Sequence, residues 1–304
     1  MTGDSYIGQR NSATRPPLRP PTPWVGDCAS RSDNRRLMRS GTCGMCRTTS
    51  NLHDSHLLPA ALYRSMRLPS GKNPNPVAIR PGVAIASSDE VRQHFLCSEC
   101  ERRLNDGGER WVIANCYQAD GKFPLYDNVI TQPPVAVSPI VTLYGSCAVP
   151  GIEPEQLGFF AASIFWRAGA TDWRNKRSPR IELGPYEDLL RRYLLGLTPF
   201  PKDAALRVIL PTPALARLVA TLPMPDRLDG IRSYTFLIPG IAFTMILGKH
   251  MPSSMREVAF IPSPNRIICI SDQIHQKWLE GVAAVIRAAE PKGYLKSLQR
   301  PGQR

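Results

Sequence analysis

From residue 153 onwards the chain alternates apolar stretches of helical period with short β-branched runs that break at prolines. Glu153 to Ala168 (EPEQLGFFAASIFWRA) spaces its apolar residues as a buried helix does, with Pro154 in the first turn, where its missing N–H costs nothing. Gly184 to Leu197 (GPYEDLLRRYLLGL) repeats that period with a charged outer face and predicts a second helix. Leu206–Leu210, Tyr234–Ile238, Ile241–Leu247 and Arg266–Ile270 are short β-branched or aromatic runs, so they predict strands. Pro239-Gly240 lies between two of them and predicts a hairpin tip. A last helix is expected from about Ser271 to Ala289, with Ile274, Trp278, Val282 and Ile286 four apart on one face.

Upstream the texture differs. Residues 1–38 are rich in Pro, Arg and Ser without any hydrophobic period and predict a disordered basic arm. Residues 39–118 form a module around four cysteines, interrupted by LPSGKNPNPVAIRPGVAIASSDE, whose turn formers predict a loop. The expected organisation is this arm, the module, an α+β domain of mixed helices and antiparallel sheet over 150–290, and a basic tail over 291–304. The longest apolar candidate, Tyr234 to Gly248, is too short to span a membrane and is broken by Pro239-Gly240, so no membrane partner is expected.

Composition adds a compartment and a partner class. The first 24 residues carry Arg and Pro where a secretory signal needs an apolar core, which predicts a cytoplasmic, reducing location. There, paired cysteines favour metal over disulfide, and Cys28, Cys116, Cys147 and Cys269, which have no spacing partner, read as core or incidental thiols. The net charge of +13 suits a protein that approaches nucleic acid. Coding bias in a GC-rich genome gives the same skew of 30 Arg to 8 Lys, so the charge supports a nucleic-acid partner without establishing one.

The chemistry lies in two Cys-x-x-Cys pairs, Cys43 with Cys46 in GTCGMC and Cys97 with Cys100 in FLCSEC. Two intervening residues let a tight knuckle aim both sulfurs at one point, and two knuckles can close a tetrahedron around Zn2+. The roughly fifty residues between the pairs are no obstacle, because loop closure costs grow only with the logarithm of length. Between the pairs, LHDSHLLP places His53 and His56 beside this centre.

The order of first knuckle, SHLLP (Ser55 to Pro59), loop, second knuckle and the charged stretch CERRLNDGGERW resembles the treble-clef (ββα-like) zinc fold. More narrowly, over about residues 43–110, it resembles the HNH endonucleases that carry a structural zinc, whose first His follows the first knuckle in a DHIxP-like motif. The resemblance implies that His56 is the general base that deprotonates a water, while a separate Mg2+ or Mn2+ stabilises the phosphate and the leaving oxygen. Candidate ligands for that ion are His53, Asp54 and Glu101. The chain departs from the pattern in three places. Ser55 precedes His56 where a ligand is expected, Glu101 follows the second knuckle where His or Asn is usual, and VRQHFL, with Arg92 and His94, lacks the expected Asn. FFAASIFWRAGATDW followed by IELGPYEDLLRRYL resembles the segment that follows CxxC, SHxxP and LCxxCE in a group of bacterial proteins of about this size, which implies one recurring architecture.

Plain structural roles compete with these. His56 packed under the knuckle, His53 and His94 as solvated loop residues, and Glu101, Arg102 and Arg103 as a solvated helix face need no chemistry. Trp166-Arg167 and Arg191-Arg192 read as core with a snorkelling cation. Three functions therefore fit the sequence: an HNH-like nuclease, a non-catalytic zinc module that binds nucleic acid or a protein, and a zinc staple for a domain whose function lies in the C-terminal half.

Overall fold

Strands β1 (Arg39–Thr42) and β2 (Thr49–His56) form an antiparallel hairpin with the first cysteine pair in its connection, Thr42 facing Thr49 and Arg39 facing Leu52. The computed structural model describes residues 39–67, 75–80, 82–87, 90–147, 149–173 and 180–298. The predicted arm, Cys28 and the last six residues of the predicted tail lie outside the described residues. After α1 (Ala60–Ser65), part of the stretch predicted as loop is instead a second hairpin, β3 (Val77–Arg80) and β4 (Val83–Ala86). Its Val and Ile residues carry strand propensity that the surrounding turn formers hide. Strand β5 (Arg92–Cys97) pairs antiparallel with β2 and runs directly into α2 (Ser98–Leu104). A π-type turn at Asn105–Glu109 leads on to α3 (Arg110–Asn115), followed by α4 (Pro124–Val129).

The remaining elements are β6 (Ala136–Val137), β7 (Thr142–Gly145), α5 (Pro154–Ala170), α6 (Tyr186–Leu194), β8 (Ala204–Leu210), β9 (Met224–Leu228), β10 (Ile231–Ile238), β11 (Ile241–Leu247), α7 (Ser253–Glu257), β12 (Ile267–Ile270), α8 (Asp272–Ala288), β13 (Glu290–Lys292) and α9 (Tyr294–Leu298). Strands β6-β7-β12-β8-β11-β10-β9 form one seven-stranded sheet, antiparallel except where β12 lies beside β8. The fold class is α+β. Strands β8, β10, β11 and β12 occupy the four predicted runs. At the predicted hairpin tip Ile238 faces Ile241, and Gly240 takes φ +74°, the left-handed conformation that follows a proline in a type II turn. At the C-terminus β13 pairs parallel with β4, forming a three-stranded sheet with β3 from the predicted tail and the inter-cysteine segment.

Helix α5 explains how the layers meet. Twelve of its 17 residues are buried, and a helix apolar on all sides belongs between layers rather than on a surface. On one side Phe165 packs against Phe236 of β10 at a centroid distance of 4.9 Å, and Phe160 against Phe243 of β11 at 5.8 Å. On the other, Trp166 stacks on Phe95 of β5 at 5.5 Å. A single buried cluster therefore runs from Cys43, Met45 and Leu57 through α5 to Phe236, Phe243 and Ile268. No helix among the described residues is long and apolar enough to cross a membrane.

Helix α8 covers the opposite face of the sheet, with Ile274 and Trp278 packed against Ile209, Leu237, Ala242, Ile267 and Cys269. Its predicted apolar stripe is only partly buried, at Ile274, Trp278 and Val282, and Ile286 is 47% exposed. The geometry accounts for this. A 17-residue helix is about 25 Å long, whereas the four-residue strand β12 beneath it spans about 13 Å.

The buried anchor of α8 is His275, which is 1% exposed and has no partner for Nδ1. Burial lowers its pKa from 6.5 to about 4, with Arg217 pushing the same way and Asp272 opposing. Its folded value lies below its unfolded value, so its contribution to stability is intact above pH 6.5 and is lost as the pH falls towards 4, by roughly 3 kcal/mol in total. Urea denaturation at pH 8 and pH 5 should show this extra acid sensitivity in the wild type, and His275→Phe should remove it. An unchanged difference between the two pH values in the variant would show that His275 is not its source.

Candidate metal centre

The first knuckle is shaped by its backbone. Cys43 N–H donates to Thr48 O at 2.9 Å, Arg47 N–H returns to Cys43 O at 3.0 Å, and Arg47 takes φ +65°, so the chain reverses within the pair. Gly44 N–H donates to Phe95 O at 2.9 Å, and a Cβ at Gly44 would lie 2.0 Å from the Phe95 ring, so only glycine allows β5 to approach. The second pair uses a strand-to-helix junction. Cys97 ends β5 and Cys100 lies in the first turn of α2, so the turn of the helix brings the second sulfur back towards the first.

The four Sγ atoms all lie within 4.8 Å of one another, and Cys46 and Cys97 are 3.8 Å apart. A tetrahedral Zn–S distance of about 2.3 Å sets sulfurs about 3.8 Å apart, so the set fits zinc in donor type, number and spacing. Cys43, Cys97 and Cys100 are buried. The Cys43 thiol is held down to about 4, chiefly by a hydrogen bond from Cys100, whose own pKa is pushed up by that bond. A divalent cation at the centre would replace that shared proton and hold all four groups as thiolates.

The knuckle is fixed from outside by α6. Arg191 donates from Nη1 to Met45 O at 3.0 Å and pairs with Asp188, while Arg47 lies 3.6 Å from Glu187. Arg191 is thus a clamp on the knuckle rather than a snorkelling cation.

His56 ends β2. Its Nε2–H donates to Glu90 Oε2 at 2.6 Å, and both side chains are partly exposed. Its backbone is held as well, because Arg167 donates from Nη1 to His56 O and Leu57 O, each at 3.3 Å. Arg167 is 2% exposed and ion-paired with Glu109 in the π-type turn, so it does not reach solvent as expected from the sequence. Tyr63 lies beside Glu90. Burial raises its hydroxyl pKa to about 12, and the carboxylate adds to the rise.

The other predicted site residues are placed separately. His53 Nε2 is 3.0 Å from Ser98 Oγ, Asp54 pairs with Arg92 at 3.4 Å, and one carboxylate oxygen of Glu101 is buried without a partner. Among the described residues the four cysteines are the only group of three or more His, Cys, Asp or Glu side chains whose ligand atoms converge. His53, Asp54 and Glu101 do not bring their ligand atoms together as a group of three.

Ser55 explains part of this departure. A bulge between His53 and Asp54 breaks the β2–β5 ladder, and Leu96 N–H, opposite the bulge, donates to the buried Ser55 hydroxyl at 3.0 Å. The residue before His56 therefore repairs the backbone. His94 Nδ1–H donates to Leu52 O at 3.2 Å, Arg102 pairs with Glu99, and Arg103 reaches Leu195 O.

No family model, curated protein or solved structure matches the chain. The site rests on its own geometry. Two of its residues, Glu90 and Glu109, do not emerge from the sequence, and Arg167 emerges only as a snorkelling cation. A signal exists for each: Glu90 continues the alternation of Arg92 and His94, and a lone Arg inside FFAASIFWRAGA requires a buried partner, which NDGGE supplies.

Proposed function

We propose that the protein hydrolyses nucleic-acid phosphodiesters, with His56 as general base on a zinc-stapled treble clef. The metal half of this reading is supported by a knuckle in a hairpin connection facing a strand that enters a helix, the arrangement the HNH resemblance implies. The catalytic half is carried by one observation, the double hold on His56. Glu90 fixes the ring and Arg167 fixes the carbonyl, whereas a histidine that only fills space needs neither. With Nε2–H donating to Glu90, Nδ1 is the nitrogen left to accept a proton. Glu90 is then a positioning residue, and a net charge of +13 favours a polyanionic substrate.

Incubation of labelled DNA and RNA with the zinc-loaded protein, with and without Mg2+ or Mn2+, tests this. His56→Ala should lose about 100-fold or more of the cleavage rate while retaining zinc. Glu90→Gln should lower the rate and alter its pH profile. Equal activity in wild type and His56→Ala, or no cleavage by the wild type, would refute the hydrolase.

A second reading, a non-catalytic zinc module that binds nucleic acid, is favoured by the failure of His53, Asp54 and Glu101 to converge. Its mark is salt-sensitive binding without cleavage.

A further inference from the structure

We infer that the substrate of the His56 site is RNA, and that it is cleaved by its own 2′-hydroxyl without a hard divalent ion. This rests on reading the protein as a phosphodiester-cleaving enzyme and specifies that reading. The starting point is the register of β2 against β5, in which His56 faces Arg92 and Asp54 faces His94. Side chains alternate along a strand, so Asp54, His56, Arg92 and His94 share one face of the ladder, and the buried Ser55 and Gln93 occupy the other. Glu90 reaches the same face through its contact with His56.

Each imidazole on this face is tied by one nitrogen. His56 donates from Nε2 to Glu90, and His94 donates from Nδ1 to the Leu52 carbonyl. The nitrogens remaining for proton transfer are Nδ1 of His56 and Nε2 of His94. The two residues are diagonal neighbours across the ladder, about 7–8 Å apart, which is enough to set one imidazole on each side of a phosphate. Arg92 stands opposite His56, 48% exposed on its side chain and held at 3.4 Å by Asp54, as a cation for the phosphate oxygens. Asp54 sits across from His94 in the ladder.

A base, an acid and one guanidinium are a poor set for activating water against DNA, and the hard-ion donors suggested by the sequence do not meet. They suffice when the nucleophile is already tethered to the substrate, as the 2′-hydroxyl is in RNA. The step balances within the substrate. The 2′-hydroxyl proton passes to His56 Nδ1, the 2′-oxygen bonds to phosphorus, and the bond from phosphorus to the 5′-oxygen breaks. His94, entering the step as the imidazolium with Nδ1–H on the Leu52 carbonyl, gives its Nε2 proton to that leaving oxygen, yielding a 2′,3′-cyclic phosphate and a 5′-hydroxyl; the proton on His56 is then lost to solvent and His94 regains one from it, with no water or redox partner consumed.

The test uses the full zinc-loaded chain in buffer passed over chelating resin, with single-stranded RNA and DNA oligonucleotides of one sequence. A third oligonucleotide is RNA carrying a single 2′-deoxy position. The expected result is RNA cleavage without added Mg2+ or Mn2+, cyclic-phosphate ends, intact DNA and a block at the deoxy position. His56→Gln and His94→Gln should each slow cleavage about 100-fold or more, with zinc content and circular dichroism unchanged as the check on folding. DNA cleavage, dependence on Mg2+ or Mn2+, or 3′-hydroxyl ends would overturn this inference and leave His56 as a hydrolytic base. Cleavage that persists in both variants overturns it as contamination. If neither nucleic acid is cut with any metal, the enzymatic reading itself falls.

Discussion

Cys97→Ser, or exhaustive removal of metal, is expected to unfold the region around the knuckles and to carry much of the core with it. Structural zinc sites contribute an apparent 10–16 kcal/mol or so, comparable to or larger than the roughly 5–15 kcal/mol stability of a whole domain. Here the sulfurs cannot be lost locally. Cys43, Cys97 and Cys100 belong to the same buried cluster as Phe95 and Trp166, and α5 continues that cluster to the seven-stranded sheet. Metal analysis should give one zinc per wild-type chain, and thermal melting should show the transition of Cys97→Ser lowered steeply or abolished. A variant that melts with the wild type, or a wild-type protein that is free of zinc and fully folded, would show that the four thiols are packed without a metal.

The second large effect belongs to Arg167 and Glu109. Arg167→Met leaves the Glu109 carboxylate without its partner and removes the donor shared by the carbonyls of His56 and Leu57. Breaking a buried ion pair from one side costs about 3–5 kcal/mol, because the remaining charge stays desolvated. The paired change Arg167→Met with Glu109→Gln should recover part of that loss, since no charge is left unpaired. Urea denaturation of the wild type, the two single variants and the double variant gives the coupling directly. Additive losses would show that the two side chains do not act as a pair. The single Arg167 variant should also lower any activity that depends on His56 by more than its stability loss explains, because it frees the backbone at that residue.

These two cases mark how far the sequence could be read. The knuckles were legible because the Cys-x-x-Cys spacing is local: two residues between sulfurs form one tight turn, whatever surrounds them. The helices α5, α6 and α8 and the strands β8, β10, β11 and β12 were legible for a related reason, since each carries its own period of apolar positions or its own proline boundary. The β3–β4 hairpin was obscured because Pro, Gly, Asn and Ser around it suggest a loop, and its pairing with β13 joins residues some two hundred positions apart.

The sequence alone determined that four cysteines form two knuckles, that the chain has an apolar core, and that a histidine follows the first knuckle. Tertiary structure decided what surrounds that histidine. The bulge turned Ser55 inward to repair a backbone amide, and the ladder register put His56 and His94 on one outer face beside Arg92. The packing of α5 brought Arg167 to the carbonyl of His56, 111 positions away. The physical reason is range. Turn geometry and hydrophobic period are set within a few residues, whereas a hydrogen bond from α5 to the end of β2 exists only once the layers have closed on each other.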